Sequence, residues 1–261
     1  MPIRQTLIKC YQILVGTFGF DPRSLIRSLR GLPIYIKDWR EFRKGYSGSM
    51  NWMPCLHDRY EEGGATKGEY FWQDLLVARL IFAANPKRHV DIGSRVDGFV
   101  AHVASFREIE IFDVRPISTP IPGVVFKQAD LMSSDSMPNE GEGYCDSLSC
   151  LHALEHFGLG RYGDPIDPVG HELGIANMAS LLEPGGTFYL STPIGQERVE
   201  FNAHRVFDPR RIIQLAESHA LTLHQFIVVD GGARDVPLTQ ESLQSLSEAS
   251  YNLGIFVFTK S

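Results

Sequence analysis

The stretch HVDIGSRVDGFV, His89–Val100, constrains this chain more than any other. It reads as a short buried strand that stops at an acidic residue, Asp91, turns on Gly93 and enters a helix past Gly98. Such a strand–glycine turn–helix unit lets backbone N–H groups at the helix start face a bound small molecule, because no Cβ blocks the approach. About twenty residues further on, IEIFDV (109–114) reads as a second strand with Asp113 near its end, the offset at which nucleotide-binding α/β folds hold ribose hydroxyls.

Around this unit the hydrophobic pattern places strands near 88–92, 109–114, 123–127, 144–150, 187–192, 221–229 and 254–259. Helical segments alternate with them, which predicts a mainly parallel sheet with right-handed crossovers. YFWQDLLVARLIFAANP (70–86) has apolar residues at helical spacing and ends before Pro86, so a helix should pack on the sheet just ahead of the first strand. Upstream, residues 3–15 and 22–44 look helical, broken at 16–21 and near Gly31–Pro33, with Asp21-Pro22 as N-cap and first-turn proline. Residues 45–68 read as an irregular connector that contains His57, Asp58 and Arg59. The expected division is an N-terminal helical extension and connector over 1–67 and an α/β domain over 68–261. The 36 residues between the fourth and fifth strands must hold a loop, GLGRYGDPIDPVG (158–170), and a helix starting near His171. That loop belongs at the carboxyl ends of the strands, where open α/β sheets bind ligands.

Composition narrows the class. No apolar run reaches the ~18–20 residues that span a bilayer, and the first residues show no secretory pattern. The four cysteines form no CxxC pair, so reduced thiols and a cytoplasmic setting are expected. The net charge of −6 hides an asymmetry: residues 1–44 hold nine Lys/Arg against three Asp/Glu, and the rest holds 16 against 28. An acidic body argues against nucleic acid as a partner. The basic leading segment suits a peripheral contact with an anionic membrane face, a partner, or the chain's own body.

Four stretches in order, VDIGSRVDG, IFDVR followed by FKQADL, DSLSCLHALEHF (146–157) and LLEPGGTFYLSTP (181–193), resemble the S-adenosylmethionine-dependent methyltransferase superfamily of the seven-stranded type. VVDGGARD (228–235) fits its closing hairpin, and the resemblance covers about 68–260. It implies a Rossmann-like, seven-stranded, mostly parallel sheet with an antiparallel final strand, here with an N-terminal helical extension. HVDIGSRVDGF, HALEHFGLGRYGDPID and FNAHRVFD together resemble the domain-of-unknown-function 268 family, a match that extends into the helical N-terminal region. One departure stands out: the superfamily's first turn reads DxGxGxG, and Arg95 and Asp97 replace two of those glycines.

The resemblance implies S-adenosylmethionine as cofactor, with Asp91, Gly93 and Gly98 lining it, Asp113 on the ribose and Asp130 at the adenine edge. Arg95 either fills the space of the methionine moiety or pairs with its carboxylate. Each aspartate also suits a turn cap at a strand end, Asp130 more so than Asp91 or Asp113. Methyl transfer needs two aligned groups and often a base. His156 is the first base candidate because imidazole titrates near neutral pH, with Glu155 orienting it; His204 in FNAHR is the second. The same residues can cap the following helix, and His152 reads as structural. Arg161, Tyr162, Asp164, Asp167 and His171 form a polar loop suited to acceptor contact or to ordering itself, with no metal expected. Arg205 suits an anionic acceptor, and Glu197, Arg198 and Asn202 suit an acceptor wall or a solvated loop. The expected activity is methyl transfer to an oxygen of a small or glycan-like acceptor. The alternative is a non-catalytic protein of the same fold that has lost its cofactor turn. A nicotinamide-dependent enzyme ranks low, since no TyrxxxLys pair is present.

Overall fold

The computed structural model describes residues 10–11, 15, 19, 21–56, 58–60, 63–64, 66–136 and 143–261. They fall into two compact units, 1–65 and 66–261. Most of the helix expected over 3–15, and His57, lie outside the described residues.

The first unit is built on α1 (Pro22–Gly45), whose Asp21 cap accepts from the Arg23 N–H at 2.9 Å. The helix runs on through Gly31 and Pro33, where a break was expected. Gly31 is buried because a Cβ there would strike the Leu56 carbonyl, so this glycine serves a close approach of the connector. Tyr35 and Trp39 both pack on Trp52 with ring centroids 5.5 Å apart. Arg59, in a one-turn 3₁₀ segment (Asp58–Tyr60), pairs with Asp38 at 2.7 Å.

The second unit opens with α2 (Glu69–Ala84) and continues through β1 (His89–Ile92), β2 (Ile109–Asp113), β3 (Val124–Gln128), β4 (Cys145–Leu151) and β5 (Leu182–Ile194). A small hairpin of β6 (Arg198–Glu200) and β7 (His204–Val206) follows, then β8 (Leu221–Val229), β9 (Ala233–Asp235) and β10 (Asn252–Lys260). The main sheet has the order β3-β2-β1-β4-β5-β10-β8-β9. Strands β1 to β5 are parallel neighbours, and β10 lies antiparallel between β5 and β8. All seven expected strands are present. The sheet has eight because Gly231–Gly232 turns β8 back into β9, an extra edge strand. The hairpin expected at 228–235 is therefore this edge, and β10 makes the closing antiparallel pair with β8.

β1 and β2 are buried along their whole length, as parallel strands covered on both faces must be. One face packs Val77, Ala78 and Ile81 of α2 with Phe99, Val100 and Val103 beyond β1. The other packs Ile175, Met178 and Ala179 of α4 (Gly170–Leu181) and Ile212 and Ala216 of α5 (Pro209–Glu217). A short α3 (Ala101–Ala104) precedes these, and α6 (Gln240–Glu248) follows. Strand β5 starts earlier than expected: Cys145 lies opposite Leu182 and Ser147 opposite Thr187, so the EPGG turn loops out of a continuing strand. The chain leaves β1 toward β2 and β3 on one side and fills β4 and β5 on the other. That reversal opens a crevice at the carboxyl ends of β1 and β4.

Candidate functional site

The crevice is a cleft of about 490 Å³. At its floor, Gly93 takes φ +67° and donates its N–H to the Phe112 carbonyl at 2.9 Å. A Cβ there would stand 3.1 Å from the Ala153 Cβ. Arg95 is extended at φ −67°, ψ 126°, and Val96–Val100 form a single π-helical turn that leads into α3. Of the turn residues 93–98, only Gly93 has a positive φ, which is why arginine and aspartate fit at 95 and 97. The Arg95 Nη2 bonds Asp97 at 2.7 Å, and its guanidinium lies 5.2 Å from the Tyr70 ring centre.

Asp91 and Gly98 do not line the cleft. Asp91 is completely buried beneath the turn and accepts from the Ser94 hydroxyl (2.6 Å), the Ser94 N–H (3.0 Å) and the Ser149 hydroxyl (2.5 Å). Burial pushes its pKa up to about 6. The Ser94 Oγ in turn accepts from the Leu151 N–H at 3.1 Å, tying the turn to β4. Gly98 leaves room for Asp74, whose Oδ2 would be 2.5 Å from an added Cβ.

One end of the cleft is an apolar slot of Ile92, Phe112, Ala129, Leu131 and Met132 between two carboxylates, Asp113 and Asp130. Asp113 is held by Arg115, and the Arg115 guanidinium lies 4.2 Å from the Tyr162 ring centre. Asp130 accepts from the Met132 N–H at 2.9 Å and keeps its other oxygen for further bonds.

The other end is titratable. Glu155, in the 3₁₀ turn Leu154–His156, is only 1% exposed, and its Oε1 lies 2.8 Å from the His152 Nδ1 and 3.8 Å from the His156 Nε2. Burial opposes its charge, but the two imidazoles outweigh that and lower its pKa. The His156 Nδ1 donates to the Ala203 carbonyl at 2.7 Å, leaving Nε2 as the lone-pair nitrogen. Burial lowers the pKa of His156 and of His204, so both are neutral at pH 7. Arg161 Nη1 reaches the same Ala203 carbonyl at 2.8 Å.

The polar loop is divided in its roles. Arg161, Tyr162 and Asp164 line the cleft. Asp164 accepts from the N–H groups of Gly158, Gly160 and Tyr162 at 3.0–3.1 Å, so its carboxylate shapes the loop. Asp167 caps the Val169 N–H at 2.9 Å and stands outside the cleft. Arg205 is 5% exposed, also outside, and donates to the carbonyls of Phe157 (2.5 Å) and Pro168 (3.3 Å). The acceptor contact expected for these two residues is thus replaced by loop bracing. His171 is buried behind the loop, with its pKa pushed down to about 4 by burial.

Four polar cleft residues escaped the sequence reading, Glu69, Tyr70, Arg115 and Tyr251, and a fifth, His152, reads there as structural. Arg115 stood within the IFDVR motif, two residues after Asp113. Glu69 and Tyr70 open α2, and Tyr251 precedes β10, so only the closed sheet brings them together. Among the described residues, no group of three or more His, Cys, Asp or Glu converges to hold a metal ion, and no helix is long and apolar enough to cross a membrane.

Residues 135–260 match the family described as "Caenorhabditis protein of unknown function, DUF268". This bears out the relation expected from the sequence, over a span that does not include the N-terminal helical region. No curated protein matches the chain. Among solved structures, the N-methyltransferase NodS from Bradyrhizobium japonicum WM9, in complex with S-adenosyl-L-homocysteine, is 13% identical with a TM-score of 0.50. The alignment covers 74% of this chain and 88% of that one. The [4+2]-cyclase SpnF is 14% identical with the same TM-score, over 72% of this chain and 80% of that one. At such identities the likeness concerns the fold, which is the Rossmann-like architecture expected for the methyltransferase superfamily.

Proposed function

We propose that this protein is an S-adenosylmethionine-dependent methyltransferase that acts on a hydroxyl of a small or glycan-like acceptor. The observation that carries the reading is the two-part cleft: an apolar slot between two carboxylates at one end and imidazoles around the buried carboxylate of Glu155 at the other. The slot fits a nucleoside. Phe112, Ala129 and Leu131 offer flat apolar walls, Asp113 offers acceptor oxygens for a ribose diol, and Asp130 keeps an oxygen for an amino edge. The Gly93 turn leaves backbone bare at the join, and Arg95 stands near enough to hold a carboxylate. When bound, the cofactor supplies an electrophilic methyl group.

The chain's own residues do the rest. Arg161, Tyr162 and His204 border the acceptor end and supply donors and a ring face to a polyhydroxylated ligand. His156 and His204, neutral at pH 7, can accept hydrogen bonds from acceptor hydroxyls. Asp164 and Arg205 hold the loop that walls this end from water. A second reading, a binding protein without catalysis, is favoured by one observation: Arg115 already occupies both oxygens of Asp113.

Calorimetric titration with S-adenosylmethionine and S-adenosylhomocysteine separates the two. Micromolar binding that weakens in Asp113→Ala supports the enzyme and justifies a screen of hydroxylated acceptors with labelled methyl donor. Folded protein that binds neither ligand at millimolar concentration supports the binding-protein reading.

A further inference from the structure

We propose that His152 is the proton acceptor of this cleft, held by Glu155 and reached from the acceptor through Glu69. The assignment rests on the methyltransferase reading for the reaction it serves.

Three observations carry it. First, the His152 side chain is 5% exposed, and its Nδ1 faces the Glu155 Oε1 at 2.8 Å. A carboxylate only accepts, so Nδ1 carries the proton and Nε2 the lone pair. That Nε2 is buried and has no hydrogen-bond partner among the described residues. Buried polar atoms without partners are rare, and one on a cleft-lining residue asks for a functional reason. Second, His152 sits at φ +52°, a left-handed conformation that a non-glycine residue adopts at a cost. Its N–H is pinned to the Ser191 carbonyl at 3.1 Å, so the strained backbone is held at the very end of β4. Third, an imidazolium formed there would lie between two carboxylates. Glu155 is on Nδ1, and the Glu69 Oε1 stands 3.6 Å from Nε2.

Glu69 is the rim of this relay. Its side chain is 30% exposed, and the Tyr251 phenol donates to its carboxylate at 3.0 Å. The groups facing His152 come from each element around it: Glu69, Tyr70 and Asp74 from α2, Glu155 and His156 from the 3₁₀ turn, and Ser191 from β5. Tyr251, ahead of β10, acts on it through Glu69. Burial opposes a charge on the ring, but Glu155, Glu69 and Asp74 outweigh it and raise the pKa above the usual histidine value. His156 and His204 differ on this point, since burial lowers both.

The proton balance is simple. The acceptor O–H bond breaks, the proton passes to the Glu69 carboxylate and on to Nε2, and the oxygen pair forms the new bond to the methyl carbon. The pair of the carbon's former bond stays on sulfur. After the products leave, the imidazolium returns its proton to water by way of Glu69.

The test is a nitrogen-15 NMR titration of histidine-labelled full-length protein, with His152 assigned by its loss in His152→Gln. The neutral ring should be protonated on Nδ1, with a midpoint above the ordinary value of about 6.5. Glu155→Gln should lower that midpoint by about one unit or more, and Glu69→Gln by less. A neutral ring protonated on Nε2, or a wild-type midpoint at or below about 6.5, overturns the proposal. The wild-type titration decides this even where Glu155→Gln or Glu69→Gln fails to fold, and His152→Asn supplies the assignment if His152→Gln does not fold. S-adenosylmethionine affinity should be unchanged in His152→Gln, since the slot lies at the other end. With an acceptor from the screen, turnover should fall by roughly two to four orders of magnitude and lose its His152-dependent pH limb. Absence of cofactor binding by the wild-type protein would remove the methyltransferase reading and leave the titration result standing, so the two failures are distinct.

Discussion

Arg115 grips both carboxylate oxygens of Asp113, with Nε 3.1 Å from Oδ1 and Nη2 2.7 Å from Oδ2, while its backbone N–H adds a bond of 2.8 Å to Oδ1. In the proposed cofactor reading Asp113 receives the ribose, so the guanidinium and the ribose hydroxyls would compete for the same lone pairs. The Arg115 side chain is 47% exposed, which keeps the pair in the weak range of ion pairs near water. Arg115→Ala should therefore bind S-adenosylhomocysteine somewhat more tightly, by roughly fivefold at most. Asp113→Ala should bind it about tenfold more weakly or worse, having lost charged hydrogen bonds. Calorimetry on both variants checks the pair of signs; weaker binding in Arg115→Ala would mean that the arginine aims the carboxylate instead.

Gly93 is the turn glycine whose replacement the backbone resists. Its φ of +67° strains any L side chain, and an added Cβ would stand 3.1 Å from that of Ala153. Gly93→Ala should lose about 1–2 kcal/mol from the left-handed conformation alone, read as a lower urea midpoint. Arg95→Ala and Asp97→Ala have no such φ and should stay within about 0.5 kcal/mol of wild type. Equal losses at all three positions would contradict this account of the turn.

How far the sequence could be read follows from where each signal lies. The strands were legible because buried parallel strands such as HVDI and IEIFD are continuous apolar runs cut short by an acid and a glycine. The edge strand β9 was misread because a Gly-Gly turn says that a hairpin forms there and nothing about which strands it joins. Gly93, Asp113 and Asp130 could be placed at the cleft from sequence because each closes or follows a strand within a local motif. Asp91 and Arg205 were misplaced because sequence gives the chemistry of a side chain and not the side of the backbone it occupies. Both turn inward to satisfy backbone or hydroxyl groups. His152 was set aside as structural, since neither its left-handed backbone nor the approach of Glu69 from α2 leaves a local trace.

Arg205 braces the 157–168 segment from within. Its guanidinium donates to three backbone carbonyls, those of Phe157, Pro168 and, at 3.5 Å, Glu155, and the side chain is buried. Arg205→Ala leaves those carbonyls unpaired and should cost about 2–4 kcal/mol, together with faster proteolytic nicking between residues 158 and 168. A melting temperature equal to wild type would restore the earlier expectation that this arginine is held ready for an anionic acceptor.

Asp91 ties the stability of the Gly93 turn to pH. Its folded pKa is raised by burial to about 6, against about 3.9 in an unfolded chain. A group raised in this way contributes its stability in full below the unfolded value and loses it as pH rises through the folded one. Stability from this site should therefore fall between about pH 4 and pH 7, as the carboxyl ionises in a place that water cannot reach. Asp91→Asn carries no charge at any pH, so its hydrogen-bonding changes at Ser94 and Ser149 add a constant offset and leave the slope untouched. Urea unfolding of both proteins across this range supplies the check, because His156 and His204 titrate alike in each and cancel in the difference. The difference should grow in favour of Asp91→Asn toward pH 7. A difference that stays flat would mean that Ser94 and Ser149 hold the carboxylate ionised throughout, with its three hydrogen bonds offsetting the whole cost of burial.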